Sequence, residues 1–289
     1  MTKADEYLRR DIQNILDNGY KDENPRPKYK DGTPAYTYSV NHVMRQYDLS
    51  NGEFPICTLR PMAWKTAIKE IFTIYQNPTN DISKMREMGV TWWDEWDIGD
   101  GTIGQRYGAT VSRYDLILNL IEDIKNDPYG RRKIVNLWQE SDLRETPGLA
   151  PCAFLTIWNV RGEYLDMCMI QRSGDMLTAS GAGGINEIQY AALLMMIARH
   201  TGYNPGVFTH FVANEQIYDR HFEAVNELRK RATFTARISD ERPNIMAILE
   251  TPTMVLNRQR KNFYEMTIDD FQLTRYKPIE PQLKLELGI

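Results

Sequence analysis

An α+β fold is what the sequence predicts, on three observations. Strand-like and helix-like segments are interspersed without the regular βαβ alternation of a doubly wound sheet. Three β-rich segments, "RKIVNLW", "CAFLTIWNV" and "EYLDMCMIQ", follow one another between residues 132 and 171. A strongly apolar run at 186–201, "NEIQYAALLMMIARHT", then reads as a helix inside the core. With 289 residues and 42% hydrophobic side chains the chain can bury a sizeable core. It has no repeat and no long linker, so one domain over residues 1–289 is expected.

Each element has its local reason. Tyr7, Leu8, Ile12, Ile15 and Leu16 share a helical face, and Asn18-Gly19 ends that helix. The Pro- and Gly-rich stretch 21–34 is a loop, and "NHVMRQYDL" reads as a strand. Pro61 suits a helix's first turn, and apolar periodicity continues over Met62–Gln76. Short helices are expected over 80–89, closed by Gly89, and over Arg113–Asn126, stopped by Asp127-Pro128. Arg161-Gly162 joins two strands as a tight hairpin. "GVFTHFVAN" is a strand and "IYDRHFEAVNELRKR" a helix.

Bulk properties exclude several classes. A net charge of −4 argues against a nonspecific nucleic-acid binder, and no dedicated nucleic-acid motif is present. No apolar run approaches the roughly 18 residues of a membrane helix. The charged N-terminus lacks the apolar segment of a signal peptide. Cys57, Cys152 and Cys168 are odd in number and widely spaced, so a reducing, cytoplasmic setting is expected. His42, His200, His210 and His221 are scattered, and no metal site is expected.

Two glycine motifs are decoys. Gly99-x-Gly101-x-x-Gly104 lacks the preceding hydrophobic strand of a dinucleotide fingerprint. "SGAGG" at 180–184 lacks the Lys-Ser/Thr of a phosphate loop.

Arginines carry more information. Arg131 and Arg132 precede one strand, Arg172 ends another in "QRSGD", and Arg26 lies in the Pro-rich loop. Guanidinium forks and the Ser173 hydroxyl suit phosphate oxygens, whereas lone surface arginines are usually just solvated. Glu70 sits beside Ile71 and Phe72. It reads either as a helix-surface charge or as a buried acid with a raised pKa. Trp92, Trp93 and Trp96 are either core or a stacking wall for a flat ligand. Cys152 follows Pro151 at a strand entry. A free cysteine is commonly inert core, but the hairpin can bring Arg172 alongside, and a cation favours the nucleophilic thiolate.

At this point the motifs resemble one family, thymidylate synthase, over nearly the whole chain. They run in order: "AWKTAIKEIF", "GVTWWDEW", Tyr107-Gly108, "NDPYGRRKIV", "LAPC", "QRSGD", Asn186 with Tyr190, "IYDRH" and "TIDDFQL". The resemblance implies a mixed, mainly antiparallel sheet covered by helices and forming the interface of a homodimer. It implies conversion of dUMP to dTMP with 5,10-methylenetetrahydrofolate as co-substrate and no metal. Catalysis is expected from Cys152, Glu70, Arg172 and Tyr107. dUMP binding is expected from Arg26, Gln171, Ser173, Asn186, Gln216 and Tyr218, with Arg131 and Arg132 reaching in from the other subunit. Folate binding is expected from Trp93, Trp96, Asp175 and the tail ending at Ile289, which closes over the site.

The chain departs from the family pattern at several positions. Ala153 and Asn214 replace its usual histidine and aspartate, and Gln216 its sugar-binding histidine. The 176–185 segment is about three residues longer and lacks the family's Pro-Phe. These departures motivate two alternatives: a dUMP or dCMP hydroxymethylase of the same fold, or a catalytically silent nucleotide-binding homologue. Asn186 argues against a cytosine substrate, and Cys152, Glu70 and the arginines together argue against silence.

Overall fold

The computed structural model describes residues 1–241, 251–257, 259 and 262–288, with side chains described except over 236–241. Helix α1 (Lys3–Asn18) opens on a capping box. Asp5 N donates to Thr2 Oγ1 at 3.1 Å and Thr2 N to Asp5 Oδ2 at 2.9 Å, satisfying two amides the helix leaves open. Its apolar face buries Leu8, Ile12 and Ile15, as their spacing predicts.

Among the described residues seven strands form one sheet. They are β1 (Tyr20–Lys21), β2 (Thr37–Asp48), β3 (Ile134–Asn136), β4 (Ala153–Arg161), β5 (Tyr164–Gln171), β6 (Gly174–Asp175) and β7 (Asn204–Tyr218). The spatial order is β1-β2-β7-β5-β4-β3, with β6 beside β7. β1/β2, β2/β7, β3/β4 and β4/β5 are antiparallel; β5/β7 and β6/β7 are parallel. The sheet is thus mixed and mainly antiparallel. The β4/β5 hairpin turns at Gly162, whose φ of +63° lies in the left-handed region that a tight hairpin turn needs.

The parallel β5/β7 pairing needs a crossover, and helix α7 (Ile185–Thr201) supplies it. Eleven of its residues, from Glu187 to Ala198, are buried, which is why its sequence is apolar on every face. A left-handed Gly202 (φ +86°) ends it. Helix α8 (Phe222–Glu241) packs beside α1, and a small pair, β8 (Thr253–Leu256) with β9 (Phe271–Thr274), lies apart from the main sheet.

Four predicted segments differ. The helix expected from Ile217 starts only at Phe222, because Ile217 and Tyr218 end β7. The helix over 62–76 is α2 (Trp64–Ile71) followed by a π-helical turn at Phe72–Gln76. The helix over 113–126 is two, α4 (Gly108–Arg113) and α5 (Leu116–Asn126), broken where Asp115 adopts φ +50°. The long 176–185 segment is a π-helical turn, Met176–Ser180, running through Gly181–Gly184 into α7. Gly183 is required there. Its φ is +65°, and a Cβ would come within 2.3 Å of the Cys57 nitrogen.

Candidate active site

Cys152 stands at the entry to β4, and Arg172 at the exit of β5. Register pairs Ala153 with Gln171, and Arg172 N donates to Cys152 O at 2.9 Å. The guanidinium then folds back over the strand entry. Its Nη2 lies 3.4 Å from Cys152 Sγ and donates to Ala150 O at 2.9 Å, while Nε donates to Pro151 O at 3.0 Å. Burial pushes the thiol pKa up, and the charges of Arg172 and Arg26 pull it back. Burial therefore outweighs the cations. The sequence suggests activation by Arg172, and the guanidinium does pull the thiol pKa down, though not enough to offset burial. Cys168 is also pushed up by burial, without any opposing cation. Cys57 is fully buried.

Glu70 is not a surface charge. It is 6% exposed, on the buried side of α2 just before the π-helical turn. Trp93 Nε1 donates to Oε1 at 2.6 Å, and Gln189 Nε2 donates to Oε2. Burial raises its pKa to about 7 against these hydrogen bonds and one from Trp92. Trp93 also meets the Tyr107 ring edge-on at 4.9 Å. Tyr107 sits at φ +48°, a strained conformation for a bulky residue, and burial, with Cys152 close by, holds its hydroxyl pKa well up. Gly108 follows because a Cβ there would lie 2.3 Å from Thr79 O. Cys152, Arg172, Glu70, Tyr107 and Trp93 are thus gathered, directly or through one residue.

The polar edge continues along α7. Gln171 Nε2 donates to Asn186 Oδ1 at 3.2 Å and to Ser173 O at 3.1 Å. Asn186 Nδ2 donates to Gln189 Oε1 at 3.0 Å. Asp175 accepts from Leu177 N at 3.2 Å and from the Thr178 hydroxyl, with His221 Nδ1 3.7 Å away. Burial raises its pKa against these donors. Gln216 pairs with Asp175 across β6/β7. Tyr218 is buried, its pKa pushed up to about 12 by burial and by Asp175 and Cys152.

The tail lies over this end of the sheet. Tyr218 OH donates to Gly288 O at 3.4 Å, His221 Nε2 to Glu286 O at 2.7 Å, and Arg220 Nη1 to Glu286 Oε2 at 2.8 Å. A Cβ on Gly288 would meet Tyr218 Cε1 at 2.8 Å. Ile289 lies outside the described residues.

Other predicted residues lie farther out. Trp96 is half-buried against the core rather than beside Glu70, Ser173 is half-buried, and Arg26 is exposed but close enough to act on Cys152. Arg131 and Arg132 are exposed just before β3. Lys133 O accepts from Trp158 N at 2.9 Å, six residues along β4 from Cys152. At about 3.3 Å per residue that is roughly 20 Å, too far to share a ligand's phosphate within one chain.

Gln189 escapes motif reading although it holds the Glu70 carboxyl. The available signal is two polar residues, Glu187 and Gln189, interrupting an otherwise apolar helix. Glu187 belongs to a fully buried ion cluster. Arg45 binds Asp11 at 2.7 Å, Glu187 at 3.3 Å, and Glu215, while Tyr47 OH donates to Glu187 at 2.7 Å. Among the described residues no group of three His, Cys, Asp or Glu is placed to hold a metal ion, and no helix is long and apolar enough to cross a membrane.

Comparison with known proteins agrees with this geometry. The family described as thymidylate synthase matches residues 5–289. The chain is 49% identical to a thymidylate synthase of Lactococcus lactis subsp. cremoris and 44% to one of Streptococcus pneumoniae, covering 100% of each pair. Its structure is similar to thermostable thymidylate synthase A from Bacillus subtilis, with TM-score 0.85, 32% identity and 99% of each chain covered. With a family match over nearly its whole length and relatives near half identity, the chain belongs to the thymidylate synthase family.

Proposed function

We propose that this site converts dUMP to dTMP by covalent catalysis, with 5,10-methylenetetrahydrofolate as co-substrate and dihydrofolate as by-product. The observation that carries the reading is Cys152 Sγ at 3.4 Å from the Arg172 guanidinium, with the Glu70 network reached through Tyr107 and Trp93.

Cys152 gives up its proton to solvent, its sulfur bonds to C6 of the uracil ring, and the C5=C6 electron pair moves onto C5 and O4. The folate, when bound, supplies one carbon and a hydride. Glu70, with a pKa near 7, gives and takes protons at O4 and, through water, at C5. Tyr107, close to Cys152 and edge-on to Trp93, links the thiol to the Glu70 network. Loss of the C5 proton and departure of the thiolate then restore the enzyme.

Arg172, Ser173 and Arg26 hold the nucleotide's phosphate, while Asn186 and Gln171 read the base. Tyr218, with Gln216 beside it, holds the sugar. Asp175, a half-buried carboxyl, suits the N–H donors of a pterin, and Trp93 and Trp96 line its approach. The tail excludes water, with Ile289 at its end. Arg131 and Arg132 serve the phosphate of a second copy in a homodimer built on the sheet, a reading supported by their exposure and distance from their own Cys152. A large core whose members run from Ala4 to Phe271 in sequence supports a single domain over 1–289, and three free cysteines suit the cytoplasm.

Incubation with dUMP and methylenetetrahydrofolate tests the reading. dTMP and dihydrofolate are expected. Hydroxymethyl-dUMP with tetrahydrofolate, or dUMP binding without turnover, would replace it with a hydroxymethylase or a silent binder.

A further inference from the structure

Asn186 is an amide, and an amide reads a base only if its oxygen and nitrogen are held in one sense. Turned one way it faces a ring N–H beside a carbonyl, as in uracil. Turned the other way it faces a ring nitrogen beside an amino group, as in cytosine. Nothing in Asn186 itself chooses between them.

Its neighbours do choose, from both sides. Gln171 Nε2 donates to the backbone carbonyl of Ser173 at 3.1 Å, and a carbonyl can only accept. That pins the NH₂ end of Gln171 toward Asn186, so Asn186 must answer with Oδ1, at 3.2 Å. From the other side, Gln189 Nε2 donates to Glu70 Oε2, whose Oε1 is already held by the donor-only Trp93 indole. Gln189 therefore turns Oε1 toward Asn186 and accepts from Nδ2 at 3.0 Å. If Glu70 takes up a proton, the Ser173 end still favours the same sense, because a backbone carbonyl does not reverse. Behind Gln171, its Oε1 faces His210 Nε2 at 3.1 Å, and His210 Nδ1 faces Glu187 at 2.9 Å. Gln171 and Gln189 are 2% and 3% exposed, whereas Asn186 is half-buried. Asn186, the half-buried member of this chain of amides, keeps one N–H and one lone pair for a ligand.

We propose that Gln189 is a positioning residue which, with Gln171, locks the Asn186 amide in the sense that accepts uracil and rejects cytosine. The inference rests on the reading that Asn186 faces the base. Gln189 also joins base recognition to the proton-transferring Glu70, since one amide touches both.

The test is the ratio of dCMP to dUMP dissociation constants, measured by calorimetry on the full chain. Wild type is expected to prefer dUMP. Gln189→Met keeps the volume but removes one of the two holds on Asn186, so that only the Gln171 hydrogen bond opposes turning, and the ratio is expected to fall by about 3- to 10-fold, the worth of one hydrogen bond. Gln189→Ala gives the same result where methionine disturbs folding. Gln189→Glu is expected to restore the wild-type ratio, because a protonated carboxyl donates to Glu70 and accepts from Asn186 in the same sense. A purely structural role would not produce that rescue. A folded Gln189→Met or Gln189→Ala protein with the wild-type ratio overturns the inference alone. Wild type that prefers neither nucleotide overturns it together with the reading of Asn186.

Discussion

Cys152 and Arg172, twenty positions apart in sequence, face each other at 3.4 Å between Sγ and Nη2 because one hairpin joins the start of β4 to the end of β5. The same guanidinium ties down Ala150 O and Pro151 O, so it fixes the strand entry as well as the sulfur's surroundings. A lysine there keeps a charge but loses the planar fork. Arg172→Lys is expected to lower kcat/KM by about 10- to 100-fold, the worth of a hydrogen bond to a charged group. It is also expected to raise the pH at which Cys152 alkylates. An unchanged alkylation profile would separate the arginine from the thiol.

Glu70 titrates near neutrality. Its pKa rises from 4.5 unfolded to about 7 folded, so the folded chain binds its proton more tightly. The sign follows: this contribution to stability is complete below about pH 4.5 and is lost as pH rises through 7. Glu70→Gln removes the titration. Urea melts at pH 5 and pH 8 are expected to differ less in Glu70→Gln than in wild type, by the part Glu70 contributes. The variant is also expected to lose most turnover. An identical pH difference in both proteins would contradict a buried, titrating Glu70.

The cluster around Arg45 lies behind the proposed base-reading amides. Three buried carboxylates, Asp11, Glu187 and Glu215, share one guanidinium. Arg45→Met leaves them unpaired, and a loss of about 3–5 kcal/mol in urea denaturation is expected. A loss under about 1 kcal/mol would mean that the cluster is held by His210 and Tyr47 instead.

Exposed Arg131 and Arg132 give a test of subunit sharing. Cys152→Ser and Arg131→Ala are each expected to have little activity. Refolded together in equal amounts, they form hybrid dimers with one intact site, and recovery to about a quarter of wild-type activity is expected for a two-fold dimer. No recovery would mean that Arg131 serves its own subunit's site, and an Arg131→Ala protein as active as wild type would place it outside the site.

The sheet, the hairpin and the site's outline are legible in the sequence because they are local. Alternating strands flank a glycine at 162, and an apolar helix ends at Gly202. What escapes is set by distant packing. The burial of Glu70 depends on Trp93 and on Gln189, 119 positions away. The π-helical turns at 72–76 and 176–180 have no periodicity signature distinct from an ordinary helix. Arg45 reads as one charge in an alternating strand, and only β2/β7 pairing with α1 and α7 packed against it reveals its three acids. The departures at Ala153 and in the 176–185 segment stand out in the sequence. Their outcome does not, since Ala153 O accepts from Tyr190 OH at 3.2 Å and Gly183 turns the chain into α7.

Covalent attack by Cys152 is tested most directly by trapping it. With 5-fluoro-dUMP and methylenetetrahydrofolate, C5 carries fluorine where a proton must leave, so the sulfur–carbon adduct cannot proceed. Mass spectrometry of the digested protein is expected to find nucleotide and folate together on the peptide containing Cys152, and none in Cys152→Ser. dUMP turnover with no adduct at Cys152, or an adduct at Cys168 instead, would contradict the mechanism.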